Sequence, residues 1–226
     1  MKAPSLRQIL LGTRCATSSS ARVLSIGNDQ GGAEFPQGAV SFADAVVAFN
    51  PVVKNGEPIG PHLDPDRALG LPDFKFSDRA PCPAQVLCPG VSLGDGGSIT
   101  LRFVDNRLTG SGHNAPDLWV FEVGADVEDT LVEISANGVT WHAVGKVFGS
   151  TASVDIDAYG WTTADRFAYV RRRDDPALDG QVGYSGADID AVGAISTVAV
   201  PEPATWALML GVAALPATRC RRLMAR

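Results

Sequence analysis

Short apolar runs, separated by links rich in Gly, Pro and Asp, set the pattern of this chain. Ser98-Ile99-Thr100-Leu101-Arg102-Phe103 alternates with period two and puts Ile99, Leu101 and Phe103 on one face, which predicts a half-buried strand. Residues 118–123 are apolar on both faces apart from Glu122, which predicts a central strand. Residues 130–136 and 139–144 flank Asn137-Gly138, a dipeptide that tolerates positive φ at both positions and so predicts a two-residue type I′ hairpin. Residues 41–50, 153–156, 167–171 and 189–195 supply further strands. Residues 51–92 hold no convincing periodic element, and a link of that length inside a domain is often functional. About eight short strands, turn-rich links and no good helix predict an all-β fold, a two-sheet jelly-roll sandwich.

Composition sharpens the picture mainly through the placement of charge. The 226 residues carry 19 Lys and Arg against 25 Asp and Glu, an acidic balance that argues against nucleic-acid binding, where basic side chains must neutralise phosphates. Residues 1–22 hold Lys2, Arg7, Arg14 and Arg22 and no acid. Residues 201–226 hold Arg219, Arg221, Arg222 and Arg226 and only Glu202. The body between them, residues 23–200, is left with 11 basic and 24 acidic groups. Basic ends with apolar stretches have the character of targeting segments. We therefore divide the chain into a degenerate or truncated leader (1–22), a linker (23–39), a β-sandwich domain (40–199) and a terminal signal (200–226).

The terminal stretch runs Val200-Pro201-Glu202-Pro203, then fifteen uncharged residues from Ala204 to Thr218, then Arg219-Cys220-Arg221-Arg222. Pro-Glu-Pro holds the chain extended and cannot be helix interior. The apolar run is shorter than the roughly 20 residues a stable membrane span needs. The arginines that follow obey the positive-inside pattern, so the short helix would lie outside the body and pause in a membrane with its end in the cytoplasm. This tail resembles the PEP-CTERM sorting signal of Gram-negative, exopolysaccharide-producing bacteria, with Val200, Pro201, Glu202 and Pro203 as its box and Arg219, Arg221 and Arg222 as its basic end. The resemblance implies recognition by an exosortase, transient anchoring in the inner membrane, cleavage near the Pro-Glu-Pro box, and delivery to the cell surface or matrix. An exopolysaccharide or other glycan is then the expected partner.

Four cysteines are present, and only Cys82 and Cys88 lie in the body. In an oxidising compartment they are expected to close a small disulfide loop, since no nearby Cys or His completes a metal set. The order of pieces across residues 40–196, from Ala68-Leu69-Gly70-Leu71-Pro72-Asp73 through Asp117-Leu118-Trp119-Val120-Phe121-Glu122 to Gly186-Ala187-Asp188-Ile189-Asp190, resembles a recurrent body of PEP-CTERM cargo. That body looks like a galactose-binding-like or discoidin-like sandwich, a fold class that often carries structural calcium and binds sugars.

Candidate chemistry in the body is sparse. Gly183-Tyr184-Ser185-Gly186-Ala187 lacks the second glycine of a nucleophile elbow, and His62, His113 and His142 share no ligand spacing. No catalytic residue is assigned, and the chain is expected not to be an enzyme. Calcium needs six to eight oxygens. Asp44, Asp117, Glu122, Asp188 and Asp190 are the expected ligands, with Asp188 and Asp190 on one face of the last strand. For Glu122 a second reading stays open, an ion pair with Arg102, Arg171 or Arg172. Asp155-Ile156-Asp157 imitates the start of an EF-hand loop but fails further along, at Tyr159 and Arg166. Trp161 and Tyr184, in expected loops, are the candidate sugar contacts, while Trp119 and Trp141, within strands, are read as core. Arg171-Arg172-Arg173 is read as a solvated turn at a strand end. The leading expectation is an exported non-enzymatic surface protein, with a calcium-dependent carbohydrate-binding module as the alternative and a secreted hydrolase as the more distant rival.

Overall fold

The computed structural model describes residues 23–28, 31–74, 90–123, 130–147, 151–176 and 186–200. Thirteen strands are found among them: β1 (Leu24–Asn28), β2 (Gly31–Phe35), β3 (Ala45–Asn50), β4 (Val91–Ser92), β5 (Ser98–Arg102), β6 (Asn106–Leu108), β7 (Leu118–Glu122), β8 (Thr130–Ser135), β9 (His142–Val147), β10 (Thr151–Val154), β11 (Tyr169–Asp174), β12 (Asp188–Ala194) and β13 (Thr197–Ala199). Two antiparallel sheets face each other, one of order β10-β7-β12-β4 and one of order β3-β5-β11-β8-β9. Each sheet pairs strands from far-apart parts of the chain, as the crossing connections of a jelly roll require. The chain is therefore an all-β sandwich of jelly-roll connectivity. Among the described residues no helix is long and apolar enough to cross a membrane.

The period-two pattern explains the core. Ile99 and Leu101 of β5, Val132 and Ile134 of β8, and Val170 of β11 point between the sheets, where they meet Leu118 and Val120 of β7 and Ile189 and Val192 of β12. The opposite face of the four-stranded sheet is also covered. Phe121 lies there in a small cluster with Phe35, Phe42 and Ala191, and the Phe35 and Phe42 rings are 4.7 Å apart. Gly193 makes this cover possible, because a Cβ there would come within 2.5 Å of the Phe35 ring. β7 is accordingly central, paired on both sides and buried on both faces.

Several sequence expectations change. Residues 24–28 and 31–35, within the expected linker, pair as β1 and β2, and Phe35 joins this cluster. The first body strand begins at Ala45, after a 3-10 turn over Gly38–Ser41. Asn137-Gly138 is not a type I′ turn: only Gly138 has positive φ, at 74°. The link is longer, and the Asn137 side chain closes it by accepting the Val139 and Thr140 N–H groups at 2.8 and 2.9 Å. Arg171, Arg172 and Arg173 are strand residues of β11, not a turn, because β5 and β8 pair with them on both sides. Cys82, Cys88, Tyr184, the leader, and Pro201, Glu202, Pro203, Arg219, Arg221 and Arg222 of the terminal signal lie outside the described residues. Val200 is the last described residue, and its N–H donates to the Asp105 carbonyl.

Candidate functional site

Alternation along β11 sorts its arginines. Val170, Arg172 and Asp174 point between the sheets, while Arg171 and Arg173 point out. On the outer face Arg171 makes a two-pronged ion pair with Glu133 of β8, Nε to Oε2 at 2.7 Å and Nη2 to Oε1 at 2.8 Å. Arg173 Nη2 reaches Glu133 Oε2 at 3.2 Å. The Arg171 guanidinium lies 4.2 Å from the centre of the Trp141 ring, a cation–π stack. The Arg171 hydrogen bond holds the Glu133 carboxyl below its ordinary range. Beside this stack an open groove of about 600 Å³ runs across the sheet, lined by Asn50, Ser98, Thr100, Trp141, Arg171 and Arg173 among others.

On the inner face of the same strand the chemistry reverses. Arg172 is fully buried, and its three guanidinium nitrogens have no hydrogen-bond partner. Its charge is felt by Glu122 at the end of β7, whose Oε1 also lacks a partner. Burial pushes Glu122 up to about 8 in spite of Arg172 and with help from Asp188 and Asp174. Burial lowers Arg172 to about 10, against the pull of Glu122 and Asp174. Asp174 accepts the Gly96 N–H at 2.8 Å and the Ala187 N–H at 3.0 Å, so it ties two loops to β11. Asp188 accepts the Ser92 hydroxyl and is pushed up to about 6 by burial. Of the three partners considered for Glu122, Arg172 is the one it feels.

A second carboxylate group lies at the other end of β7. Asp117, Asp155 and Asp157 each offer an oxygen, and these oxygens all lie within 4.8 Å of one another. Asp117 is completely buried. Its Oδ2 accepts the Ile156 N–H at 2.9 Å. Asp157 is wrapped by the 110–112 turn and accepts the Ser111 N–H at 2.7 Å, the Ser111 hydroxyl at 3.1 Å and the Gly112 N–H at 3.1 Å. Burial pushes this carboxyl up, but the Gly112 and Ser111 donors together hold it below the ordinary range.

The five carboxylates expected as calcium ligands do not gather at one point, although Glu122 and Asp188 share the buried region around Arg172. Asp44 is exposed and accepts the Val104 N–H at 2.7 Å. Asp117 and Glu122 stand at opposite ends of β7, about 17 Å apart by strand rise. Asp190 sits at a bulge in β12, where it accepts the N–H groups of Asp73 and Phe74 and is pushed up by burial. Trp161, expected as an exposed sugar contact, packs edge-on against Phe167 at 5.0 Å and lies 4.5 Å from the His142 ring. Trp141, read as core, lines the groove instead. Asp155 and Asp157 left a usable signal, an Asp-Ile-Asp run whose central Ile156 is fully buried at the entry to a 3-10 turn over Asp157–Tyr159.

No family model and no curated protein matches the chain. Among solved structures it is similar to the C-terminal domain of a chitobiase from Bacteroides fragilis, at 10% identity over 72% of this chain and 97% of that domain, with a TM-score of 0.37. It is also similar to a glycoside hydrolase, at 14% identity over 73% of this chain and 38% of that one, with a TM-score of 0.31.

Proposed function

We propose that the chain is an exported, non-enzymatic surface or matrix protein whose sandwich binds glycan along the outer face of the five-stranded sheet. The observation that carries the reading is the groove beside the Trp141–Arg171–Glu133 stack. An indole next to fixed guanidinium, hydroxyl and amide groups offers an apolar plane for a sugar ring and donors and acceptors for its hydroxyls. The two arginines and one glutamate leave a net positive charge of one on an otherwise acidic body, which favours a carboxylated polysaccharide. Glycoside hydrolysis calls for a pair of acids. The described lining of this groove contains no carboxylate, and Glu133 beside it is held ionised by two arginines, so binding is favoured over turnover.

Export rests on the terminal signal. The Val200-Pro201-Glu202-Pro203 box and the arginine-rich end support sorting by an exosortase, with transient inner-membrane anchoring before release. Intact-mass analysis of the secreted form tests this part: a mature species that retains Trp206 to Arg226 would remove it. Binding is tested by arraying the protein on neutral and uronate-containing polysaccharides, with and without EDTA. Trp141→Ala is expected to weaken binding by tenfold or more, the loss of about 1.4 kcal/mol or more that truncating an aromatic anchor brings. Absence of binding to every glycan in either condition would remove the lectin reading.

A further inference from the structure

The groove leaves the Asp117, Asp155 and Asp157 cluster unused. We infer that these three carboxylates form a calcium site that pins the 155–161 segment to the start of β7. Asp117 Oδ1 is completely buried and has no hydrogen-bond partner at ordinary geometry. A buried carboxylate oxygen left in that state is costly, and a cation is the partner that would relieve it. Among the described residues, no ion pair involves any of the three. The Ser196 and Ser111 hydroxyls lie close enough to interact with the Asp117 carboxyl, but neither reaches Oδ1 at hydrogen-bond geometry.

The spacing is compatible with a shared calcium ion. Ligand oxygens at about 2.4 Å from Ca²⁺ lie at most about 4.8 Å apart, and magnesium, with oxygens at about 2.0–2.1 Å, demands a tighter shell. The three chosen oxygens fall within 4.8 Å of each other. The set is all oxygen, which favours a hard cation over zinc or copper. The backbone around it is held in advance. The Asp117 N–H donates to Val154, its carbonyl accepts from Ile195 at 2.7 Å and Ser196 at 3.2 Å, and the 157–159 turn ends at Gly160 with φ 88°. Gly110 lets the 110–112 turn press on Asp157, since a Cβ there would lie 2.8 Å from Oδ1.

This inference is separate from the sheet-face reading. Calcium titration of the full chain after EDTA treatment tests it, by calorimetry and by thermal unfolding. One saturating equivalent is expected, with the midpoint raised by roughly 5–10 °C at a hundredfold excess over Kd. Magnesium at the same concentration is expected to do far less. Asp117→Asn keeps the acceptor for Ile156 and should abolish the calcium-dependent shift. Asp155→Asn, at a half-exposed position, provides the same loss if Asp117→Asn does not fold. No calcium response in the wild-type chain, an equal response to magnesium, or a response unchanged in both variants would overturn the site.

Discussion

The two ends of β7 pose the same electrostatic problem and answer it differently. At one end Glu122 shares a buried region with Asp174 and Asp188, and Arg172 supplies a cation from within the chain. At the other end Asp117 faces Asp155 and Asp157, with no basic side chain among their described ion pairs. A strand five residues long thus carries one carboxylate group balanced by the fold itself and one that is complete only with an outside cation. The difference shows why acid counts alone misplace a metal site. What matters is whether burial has already been matched by a charge that folds with the chain.

The largest test removes the internal cation. Arg172→Met leaves Glu122, Asp174 and Asp188 facing one another in the interior. Above pH 8, where all three acids are ionised, removal of the buried cation they feel leaves their charge uncompensated, and equilibrium denaturation should show a loss of about 3–5 kcal/mol. Adding Glu122→Gln to the same chain should recover part of it, because the double variant no longer buries the acid with the highest pKa of the group. A single variant as stable as the wild type would mean that Arg172 is not what balances this end.

The same end also shows how far the sequence could be read. The jelly roll was legible because period-two runs such as Ile99, Leu101 and Phe103 mark the buried face directly. The central place of β7 was legible because Trp119 and Phe121 make its second face apolar. What could not be read was which neighbours pair. Arg171, Arg172 and Arg173 look alike as a charge run, and only the pairing of β11 with both β5 and β8 turns Arg172 inward and Arg171 toward Glu133. The β1–β2 pair carries little pattern of its own, and it packs by tertiary contact through Phe35. The pairing of Asp117 with Asp155 and Asp157 joins segments some forty residues apart, a separation that no local spacing rule can bridge.

Acidity gives the next test. Glu122, at about 8, and Asp188, at about 6, both titrate above the ordinary carboxylate range when folded. The folded chain therefore keeps protons that the unfolded chain has lost. The stability linked to them is fully present below the unfolded values and drains away as pH rises through about 6 and then about 8. The slope is about 1.4 kcal/mol per pH unit for each group protonated only in the folded state. Glu133 has the opposite sign: its lowered carboxyl adds stability above the unfolded value and loses it as pH falls, below this window. Denaturation midpoints should fall from pH 5 to pH 8, and Glu122→Gln should flatten the stretch above pH 7, beyond the values of Asp188, at about 6, and Asp190, at about 7. A profile that is already flat above pH 7 in the wild type contradicts the assignment.

The opposite end predicts a smaller effect of reversed sense. Without calcium, Asp117→Asn replaces a buried carboxylate by a neutral amide that can still accept from Ile156. It should therefore stabilise the metal-free chain, by about 1 kcal/mol at neutral pH. In excess calcium the ranking should invert, with the wild type the more stable of the two. Unfolding curves of both proteins in EDTA and in calcium measure this directly. If Asn is destabilising in both conditions, the carboxylate is structural in its own right and the contrast between the two ends of β7 fails.

The smallest expected effect calibrates the others. Asp44 is an acid with the sequence credentials of a ligand, yet its carboxylate is exposed and meets a single backbone donor, the Val104 N–H. Water already solvates such a group, so its charge needs no partner and its loss removes little. Asp44→Asn, which can still accept from Val104, should shift stability by no more than about 0.5 kcal/mol. It should also leave the calcium response unchanged. A loss comparable to that of Arg172→Met would show that exposure is a poor guide to which acids matter here. The distinction between balanced and unbalanced carboxylates would then have to be drawn on other grounds than burial.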